Sequence, residues 1–549
     1  MPFATKIGFF FLFVFTALTT GRLRIILAAK RDMLFKTYCA ACIGIDAVTV
    51  TVEVDISTGI GIHLVGLPDS AVRESLLRVI TALSSYGYRI PGKRLVVNLA
   101  PADIRKEGSS FDLAIAIGIL AVSEQIYAPR CGEFLIMGEL ALDGRIRPVN
   151  GALPVAVYAR QAGFKGCIFP EISAREASDI EGIAIYGVNR LSEVIDILSD
   201  DIDMSHLLVK RQDRTEAKPF YPNDFKDVRG QAVAKRGLEI AASGSHNIIL
   251  IGSPGCGKSM MAACLPSILP PMTREESVET SKIYSISGNS RGRTGLMRER
   301  PFRSPHHSAS IPSLIGGGAN ASPGEISLAH NGVLYLDEVA QFPRSLLDSL
   351  RQPLEDRKVT ISRARYKVTF PSSFMLAASM NPCPCGHYGE ENGRCTCTKQ
   401  QIISYMNRLS GPLLDRLDLH IWVRSLSAAE LLGGGAGGAA HREESSEAIA
   451  GRVAAAREIQ QRRFEGEGIF SNAMMRERHI AKWCALSAEC RELLEQIIEK
   501  TGLSARAYSR ILKVARTIAD LEGSGDILPP HIAEAASYRA LDRQNVTDL

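Results

Sequence analysis

The chain lacks a strong excess of charge of either sign. Its 549 residues include 64 Lys and Arg against 59 Asp and Glu, for a formal net charge of +5. Because this excess is small, any nucleic-acid surface must be local rather than a property of the whole chain. Internal repeats and low-complexity tails are also absent from the sequence. With 46% hydrophobic residues, the length predicts several globular domains and more than one buried core.

Long apolar runs are scarce as well. The strongest one, about a dozen residues after a single lysine, lies in "MPFATKIGFFFLFVFTAL" and is too short for a comfortable transmembrane helix. It resembles a signal peptide. Met33, however, opens a stretch that is typical of a first strand, so we expect residues 1–32 to precede the true start of the protein. A functional targeting segment is the alternative. We expect no membrane partner.

The twelve cysteines do not indicate a disulfide framework, which is a feature of small secreted domains. We therefore expect reduced thiols and a cytoplasmic protein. Four cysteines form two close pairs in "NPCPCGHYGEENGRCTCT", namely Cys383, Cys385, Cys395 and Cys397. Two such pairs can bring four thiolates to one structural Zn²⁺, with His387 as an alternative ligand. Free reduced thiols and a labile disulfide are the other interpretations.

Composition and periodicity divide the rest of the chain into five parts. Strand and helix patterns alternate over residues 33–200, and residues 201–225 are polar and aperiodic, as in a linker. Residues 226–426 form a second α/β segment. Residues 427–447 include a Gly/Ala-rich stretch that predicts a flexible hinge. Residues 448–549 are helical, with clear amphipathic stretches.

The second α/β segment contains a nucleotide-binding motif. "NIILIGSPGCGKSMMAACL" consists of an apolar strand, a glycine-rich loop and the start of a helix. The loop residues are Gly252, Ser253, Pro254, Gly255, Cys256, Gly257, Lys258 and Ser259. Their spacing is that of a P-loop, whose backbone N–H groups surround phosphates. Lys258 is expected to reach the terminal phosphates and Ser259 to ligate Mg²⁺, so the motif predicts ATP and Mg²⁺ as ligands.

Two further strands end in polar residues suited to ATP hydrolysis. "GVLYLDEV" ends in Asp337 and Glu338, which suit Mg²⁺ coordination and activation of the attacking water. "SFMLAASMN" ends in Asn381, which can orient the water or sense the γ-phosphate. An acidic pair after an apolar run is a weak signal alone. It becomes strong when it follows a P-loop.

Arginines farther along the chain are candidates for contacts with the transferring phosphate. Arg416, in "GPLLDRLDLHIWV", is expected to reach the nucleotide of a neighbouring subunit, and the alternative is a salt bridge with Asp415 or Asp418. Arg506 and Arg510 lie one helical turn apart and could contact the γ-phosphate from a helical lid. Arg506 is favoured slightly, and either one could instead be a solvated helix residue. A zinc ion in the cysteine cluster would hold the loop before Arg416 against a subunit interface.

These motifs together resemble the AAA+ ATPases, and the long interval between Lys258 and Asp337 resembles the magnesium-chelatase branch. From Met33 onward the chain is similar to the YifB/ComM family of that branch. The matching stretches include "VGLPDSAVRESLLRV", "RSPHHSAS", "NGVLYLDEVAQFPRSLLDSLRQPLED" and "SGPLLDRLDLHI". The resemblance implies a P-loop AAA+ core, an N-terminal domain similar to the Lon protease fold (ribosomal protein S5 domain 2-like) and a C-terminal helical lid. It also implies a hexameric ring, DNA branch migration during natural transformation and a recombinase partner.

The Lon-like resemblance raises proteolysis as a rival activity. Lon-type proteases use a Ser–Lys dyad, and "RKEGSSFDLAIA" places Ser110 at the position of the nucleophile. The segment that should supply the lysine contains none before Lys165 and has Leu153 and Val155 instead. Because a serine without a general base is a poor nucleophile, we expect no protease activity.

Two basic stretches could contact DNA. The insert at residues 288–325 contains Arg291, Arg293, Arg298, Arg300 and Arg303. A predicted β-hairpin after it contains Lys358, Arg363, Arg365 and Lys367. In a ring, both would face a channel where strand contacts independent of base sequence belong. The alternatives are solvated loops or contacts between subunits, and His306 and His307 have no neighbours that would suggest a metal.

Two other substrates for the motor stay open. A protein-remodelling ATPase usually places an aromatic residue in its pore, and the insert offers only Phe302. A metal-chelatase motor would need a substrate-bearing partner, and the sequence shows no porphyrin pocket.

Overall fold

The structure is a computed structural model that describes residues 34–199, 203–211, 220–290, 292–318, 321–363, 366–390, 394–426, 443–502, 504–539 and 541. The leader-like residues 1–32 and most of the predicted hinge at 427–447 lie outside the described residues. Within the described ranges, no helix is both long and apolar enough to cross a membrane.

The N-terminal segment is a mixed α/β structure. Its strands are β1 (Leu34–Ile43), β2 (Asp46–Ser57), β3 (Gly61–Val65), β4 (Arg94–Ala100), β5 (Phe134–Ile136), β6 (Glu139–Leu140), β7 (Ile146–Arg147), β8 (Gly166–Pro170) and β9 (Ala184–Val188). Its helices are α1 (Ser70–Ser85), α2 (Asp112–Val122), α3 (Ala152–Gln161), α4 (Glu171–Glu176) and α5 (Leu191–Ser199). The larger sheet has the order β1-β2-β4-β3, and β5, β8 and β9 form a parallel sheet.

Helix α2 lies at the centre of this segment. Its sequence, DLAIAIGILAV, is apolar on every side after Asp112, and ten of its eleven residues are buried. A helix of this composition is stable only inside a core, and α2 packs against α1, β1 and β2. The strand and helix patterns expected here from the sequence are therefore confirmed.

The segment expected to be a linker is partly anchored to this structure. The backbone N–H of Val209 donates to the carbonyl of Ile185 in β9 at 2.9 Å, and Met204 and Leu207 pack against the N-terminal core. These residues extend the edge of the β5-β8-β9 sheet rather than connecting two domains freely.

The second α/β segment is built on a parallel sheet. Its strands are β10 (Ile248–Gly252), β11 (Phe302–Arg303), β12 (Gly316–Gly317), β13 (Ser322–Pro323), β14 (Val333–Leu336), β15 (Lys358–Arg363), β16 (Tyr366–Pro371), β17 (Met375–Met380) and β18 (Leu419–Val423). Its helices are α6 (Ala232–Gly244), α7 (Lys258–Ile268), α8 (Arg274–Ser287), α9 (Ile311–Ile315), α10 (Glu325–Leu328), α11 (Arg344–Ser349), α12 (Arg351–Asp356), α13 (Lys399–Met406) and α14 (Gly411–Leu414).

Five of these strands form the sheet that positions the P-loop, in the order β11-β14-β17-β10-β18. Every neighbouring pair is parallel. Strands β10, β14 and β17 are mostly apolar and are buried along their whole length, as expected for parallel strands covered on both faces. Since β10 lies beside β17 and β17 beside β14, the carboxyl ends of these three strands meet at one edge of the sheet. Ligands of open parallel sheets bind at that edge.

The C-terminal segment is helical in its described part. Its helices are α15 (Ser446–Arg463), α16 (Glu477–Trp483), α17 (Ala488–Thr501), α18 (Ala505–Leu521) and α19 (Pro529–Ser537). Helix α15 packs against α6 and α7, and α18 packs against α6, α15 and α19. Because α15 begins at Ser446, the last two residues of the predicted hinge are helical.

The N-terminal segment docks on helix α8 of the second segment. The backbone N–H of Gly151 donates to the Ser285 carbonyl at 3.1 Å, and the Ser285 hydroxyl donates to Glu176 Oε2 at 2.9 Å. Lys282 forms an ion pair with Asp46 at 3.2 Å. These contacts connect the N-terminal segment to the interval between the P-loop and Asp337.

Candidate nucleotide site

The P-loop has the backbone conformation that its glycines allow. Gly255 and Gly257 adopt φ values of 79° and 91°, which residues with a Cβ atom rarely adopt. Gly257 caps helix α7, whose first residue is Lys258. The first N–H groups of α7 therefore face the loop without partners inside the helix, and the positive end of the helix dipole favours an anion there.

Lys258 is buried inside this loop. Its Nζ donates to the carbonyls of Gly252 at 2.6 Å and Ser253 at 2.9 Å, and it lies 3.3 Å from Oδ1 of Asn381. The ammonium group is therefore fixed between the P-loop and the end of β17. The sequence predicted Lys258 and Asn381 as parts of one site, and the structure brings them together.

Asp337 is held by three hydroxyl groups. Ser259 donates to Oδ2 at 3.0 Å, Tyr335 donates to Oδ1 at 2.9 Å, and Ser379 also donates to Oδ1. Burial raises the pKa of Asp337, but the hydrogen bonds from Ser379, Tyr335 and Ser259 outweigh it and lower the pKa overall. A carboxylate that stays ionised beside a serine hydroxyl offers the oxygen ligands that Mg²⁺ prefers.

Glu338 lies next to this group with its side chain exposed. Its φ of 49° is left-handed, which is uncommon for a residue other than glycine. Its backbone N–H donates to Ser379 Oγ at 3.1 Å. Ser379 therefore links the backbone of Glu338 to the carboxylate of Asp337.

The three arginines predicted to contact phosphate, Arg416, Arg506 and Arg510, each pair with a carboxylate of this chain. Arg416 donates to the Pro412 carbonyl at 2.5 Å and pairs with Glu355. Arg506 pairs with Asp415 at 2.9 Å, and its side chain is 73% exposed. The proposed roles of these arginines toward a nucleotide therefore stay predictions.

The alternative interpretation, that Arg416 forms a salt bridge, is met with a different partner, because Arg416 pairs with Glu355 and not with Asp415 or Asp418. Those aspartates pair with arginines of helix α18, since Arg510 donates to Asp418 Oδ1 at 2.6 Å and Arg506 pairs with Asp415. Arg510 is therefore a structural residue that joins α18 to the start of β18. The sequence did not reveal this, because the residues are about 90 positions apart in the chain.

Two of the five insert arginines are committed to internal contacts, which corrects their assignment to DNA. Arg300 pairs with Glu276 at 2.9 Å and donates to the Asn331 carbonyl at 2.8 Å. Arg303 forms a two-bond ion pair with Glu325, with distances of 2.6 and 2.8 Å. The Arg300 guanidinium therefore holds the insert to the residues that flank it, and the Arg303–Glu325 pair joins two parts of the insert itself.

The remaining basic residues differ in position. Arg293 and Arg298 are exposed, and Arg291 lies outside the described residues. The predicted β-hairpin is confirmed as β15 paired antiparallel with β16, and Lys358 and Lys367 on it are exposed. Arg365 lies outside the described residues, and the placement of the Arg363 side chain is likewise not described.

The four clustered cysteines converge. Their Sγ atoms all lie within 4.8 Å of one another. Cys383 Sγ is 3.3 Å from Cys385 Sγ and 3.8 Å from Cys395 Sγ, and the last two atoms are 3.6 Å apart. These distances exceed the roughly 2.05 Å of a disulfide bond. The pKa of Cys385 is lowered to about 6, and the largest cause is a hydrogen bond from the backbone N–H of His387 to the Cys385 sulfur.

Comparison with known proteins gives a family. A model described as "Magnesium chelatase, subunit ChlI" matches residues 224–431, "Subunit ChlI of Mg-chelatase" matches residues 52–173, and "Magnesium chelatase, subunit ChlI C-terminal" matches residues 443–539. The chain is 44% identical to the uncharacterized protein YifB of Salmonella typhimurium, over 92% of this chain and 96% of that protein. It is also 44% identical to the competence protein ComM of Haemophilus influenzae, over 92% and 97% of the two chains. The chain belongs to the YifB/ComM family of magnesium-chelatase-like proteins.

A partial similarity extends to Lon proteases. Lon protease 2 of Bacillus subtilis is 30% identical over 153 residues, which cover 28% of this chain and 25% of that protein. In this member of the YifB/ComM family, Leu153 and Val155 are buried residues of α3, and the Ser110 carbonyl accepts a hydrogen bond from Gly138 at 3.0 Å. The apolar pair offers no general base.

Sequence reasoning missed three residues around the site of this YifB/ComM member. Tyr335 and Ser379 donate to Asp337, and Glu390 accepts a hydrogen bond from Ser253 in the P-loop. Tyr335 and Ser379 lie two residues before Asp337 and Asn381, respectively, so strand periodicity could have placed each pair on one face. No local signal identifies Glu390, because its partner is far away in sequence.

Proposed function

We propose that the chain is an AAA+ ATPase that uses ATP hydrolysis to move DNA strands, as in branch migration or helicase activity. The observation that carries the ATPase proposal is the convergence of Lys258, Ser259, Asp337 and Asn381 at the ends of three parallel strands. Each side chain has the chemistry that phosphoryl transfer requires.

The residues present fit ATP and Mg²⁺. The glycine-rich loop and the start of α7 offer N–H groups to phosphate oxygens, and Lys258 adds a positive charge. The Ser259 hydroxyl and the Asp337 carboxylate would hold Mg²⁺, with oxygen atoms 3.0 Å apart. When bound, Mg²⁺ neutralises the charge that develops on the transferring phosphate.

The other residues act on the attacking water. Glu338, exposed beside Asp337, would accept a proton from the water, and Asn381 would orient it. Lys258 would exchange its contacts with the P-loop carbonyls for phosphate oxygens. In a hexameric ring, Arg416 would approach the nucleotide of a neighbouring subunit, and Arg506 would act from the C-terminal helices as a lid.

DNA is the substrate that the family and the surface favour. A relative covering 92% of this chain is named a competence protein, and the ATPase core carries the β15–β16 hairpin with exposed Lys358 and Lys367. Phosphate contacts by exposed lysines give binding that does not depend on base sequence. We propose a cytoplasmic motor that acts with a recombinase during natural transformation, with an N-terminal Lon-like domain that has no protease activity.

A metal-chelatase motor is the second candidate, because the family models that match are named after magnesium chelatase. Protein remodelling is less favoured. Its one aromatic candidate, Phe302, stacks on Tyr335 with ring centroids 5.9 Å apart and packs against a core cluster, so it does not project as a pore residue.

The deciding experiment follows a labelled three-strand or four-way DNA junction with ATP. The wild-type chain should displace the labelled strand, and Glu338→Gln should not, although it still binds ATP. ATPase activity that DNA does not change, without strand displacement, would contradict the DNA proposal and favour a chelatase or remodelling motor. ATP hydrolysis by Glu338→Gln at the wild-type rate would contradict the assignment of Glu338.

A further inference from the structure

The cysteine cluster has the dimensions of a tetrahedral metal site. A zinc–sulfur bond of about 2.3 Å places the sulfur atoms of a tetrahedron about 3.8 Å apart. The three measured Sγ–Sγ distances are 3.3, 3.6 and 3.8 Å, and Cys397 Sγ lies within 4.8 Å of the others. Four thiolates fill all positions of such an ion, so the site would be structural and closed to substrate.

The backbone around the cluster also suits bound thiolates. The N–H groups of His387 and Thr396 donate to Cys385 Sγ, and that of Cys385 donates to Cys397 Sγ. Such N–H···S bonds orient metal-binding thiolates and stabilise their charge. The group of converging ligand atoms consists of the four cysteines and does not include His387. The Nδ1 atom of His387 contacts Glu390 Oε2 at 3.0 Å. The expectation that His387 could replace a cysteine is therefore unsupported.

The loop that carries the cluster packs directly on the P-loop. Gly386 lies so close to Pro254 that a Cβ on it would be 2.7 Å from the proline Cδ. Glu390 accepts hydrogen bonds from Ser253 in the P-loop and from Ser425 after β18, the latter at 3.1 Å. On the other side, the cluster directly follows Asn381, which contacts Lys258. The loop thus touches the nucleotide site from two directions.

We propose that Cys383, Cys385, Cys395 and Cys397 bind one Zn²⁺ and that this ion holds the described part of the cysteine loop, residues 382–390 and 394–398, against the P-loop. Nucleotide binding then depends on the metal, a consequence that rests on the proposed nucleotide site. Binding Zn²⁺ displaces the thiol protons and changes no oxidation state. Without the ion, the two CxC pairs separate, and Gly386 and Glu390 no longer fix Pro254 and Ser253. This position differs from the subunit-interface role expected from the sequence.

The first test measures metal and nucleotide binding on the full chain, purified under reducing conditions. Elemental analysis should find about one zinc per chain in the wild type and in Cys42→Ser, and little in Cys395→Ser/Cys397→Ser. Cys42 is the matched control because it is a partly buried cysteine of the N-terminal segment. The dissociation constant of a fluorescent ATP analogue should rise about tenfold in the double variant, within the range of ordinary coupling between two sites.

Glu390→Ala separates the metal from its effect on the P-loop. Glu390→Ala should leave the zinc content unchanged, because Glu390 does not ligate the metal. It should weaken binding of the ATP analogue, because Glu390 positions the P-loop. This variant also decides the question if the cysteine variant does not fold. Iron or no metal in the wild type would overturn the zinc site, and an unchanged dissociation constant in Glu390→Ala and in a folded double variant would overturn the coupling. If the wild type contains zinc but binds no nucleotide, the proposed function fails while the zinc site stands.

Discussion

Asp337 keeps its charge because hydroxyl groups from three parts of the chain donate to it. Ser259 comes from the P-loop, Tyr335 from β14 and Ser379 from β17. Hydrogen bonds to the charged form of a carboxyl lower its pKa, and here they outweigh the opposing effect of burial. At the scale of single residues, Ser379 is therefore as much a part of the site as the predicted Asp337, since it also receives the backbone N–H of Glu338.

Replacing Ser379 by alanine tests this role. In Ser379→Ala the pKa of Asp337 should rise. The acid limb of the pH–activity profile for ATP hydrolysis should therefore shift to higher pH. The Mg²⁺ concentration for half-maximal activity should increase about tenfold, the effect of one hydrogen bond to a charged group. Both are measured by steady-state ATP hydrolysis across pH and Mg²⁺ concentration.

The control for this change is Ser349→Ala in helix α11, where the hydroxyl donates to a carbonyl of the same helix at 2.5 Å. It should leave both quantities unaltered. A Ser379→Ala protein with the wild-type Mg²⁺ requirement and pH profile would show that Ser379 does not tune Asp337.

At the scale of elements, the β15–β16 hairpin carries the exposed lysines through which we propose that the protein contacts DNA. Its apolar residues Val359, Ile361, Val368 and Phe370 are buried in the core cluster of the ATPase segment, whereas Lys358 and Lys367 face solvent. This alternation anchors one face of the hairpin and leaves the charged face accessible. A side-chain change on the charged face should therefore not disturb the fold.

Neutralising both lysines should weaken DNA binding without affecting basal ATP hydrolysis. In Lys358→Gln/Lys367→Gln, the magnitude of the slope of log affinity against log salt for a single strand should fall by about 1.4, if each lysine contacts one phosphate. Fluorescence anisotropy with a labelled single strand at several salt concentrations measures this slope. Lys226→Gln, which removes an exposed lysine paired with Asp224, is the control. Equal slopes in all three proteins would exclude the hairpin from DNA contact.

At the scale of the whole molecule, a buried ion pair joins the parallel sheet to the C-terminal helices. Asp418, 1% exposed, accepts from Arg510 of α18 at 2.6 Å and from the Asn247 N–H at 3.0 Å. Burial raises the pKa of Asp418, but the charge of Arg510 and the contact with His246 lower it well below its usual range. Removing one partner of such a pair leaves a buried charge without compensation.

Asp418→Asn should lower the free energy of unfolding by about 3 to 5 kcal/mol at neutral pH. The pKa of Asp418 is lower in the folded state than its unfolded value of about 3.9. Its contribution to the free energy of unfolding is therefore complete above the unfolded pKa and is lost as the pH falls through the folded pKa. The difference between wild type and variant should therefore be constant down to about pH 5 and shrink in stronger acid. Urea denaturation at several pH values measures it.

Asp415→Asn is the matched control, because it changes the same charge three residues away. Its partner Arg506 is 73% exposed, and exposed pairs contribute about 0 to 1 kcal/mol. Similar losses in the two variants would mean that Asp418 and Arg510 do not join the sheet to α18 in the way inferred here.

The sequence determined the parts of this protein that depend on local pattern. The P-loop spacing, the apolar strands with polar ends and the apolar run of α2 after Asp112 each follow from the order of residues within a short stretch. Steric preferences and hydrophobic periodicity act over such distances, so these elements were predictable. The family followed for the same reason, because its motifs are contiguous.

Only the tertiary structure decided which charges meet and which surface the cysteine loop contacts. Arg300 and Arg303 pair inside the chain rather than with DNA, and Arg510 pairs with an aspartate 92 residues away. The cysteine loop rests on the P-loop because Gly386 and Glu390 contact residues more than 120 positions earlier. Electrostatic and packing contacts between distant segments depend on the strand order of the sheet, and no local pattern encodes that order.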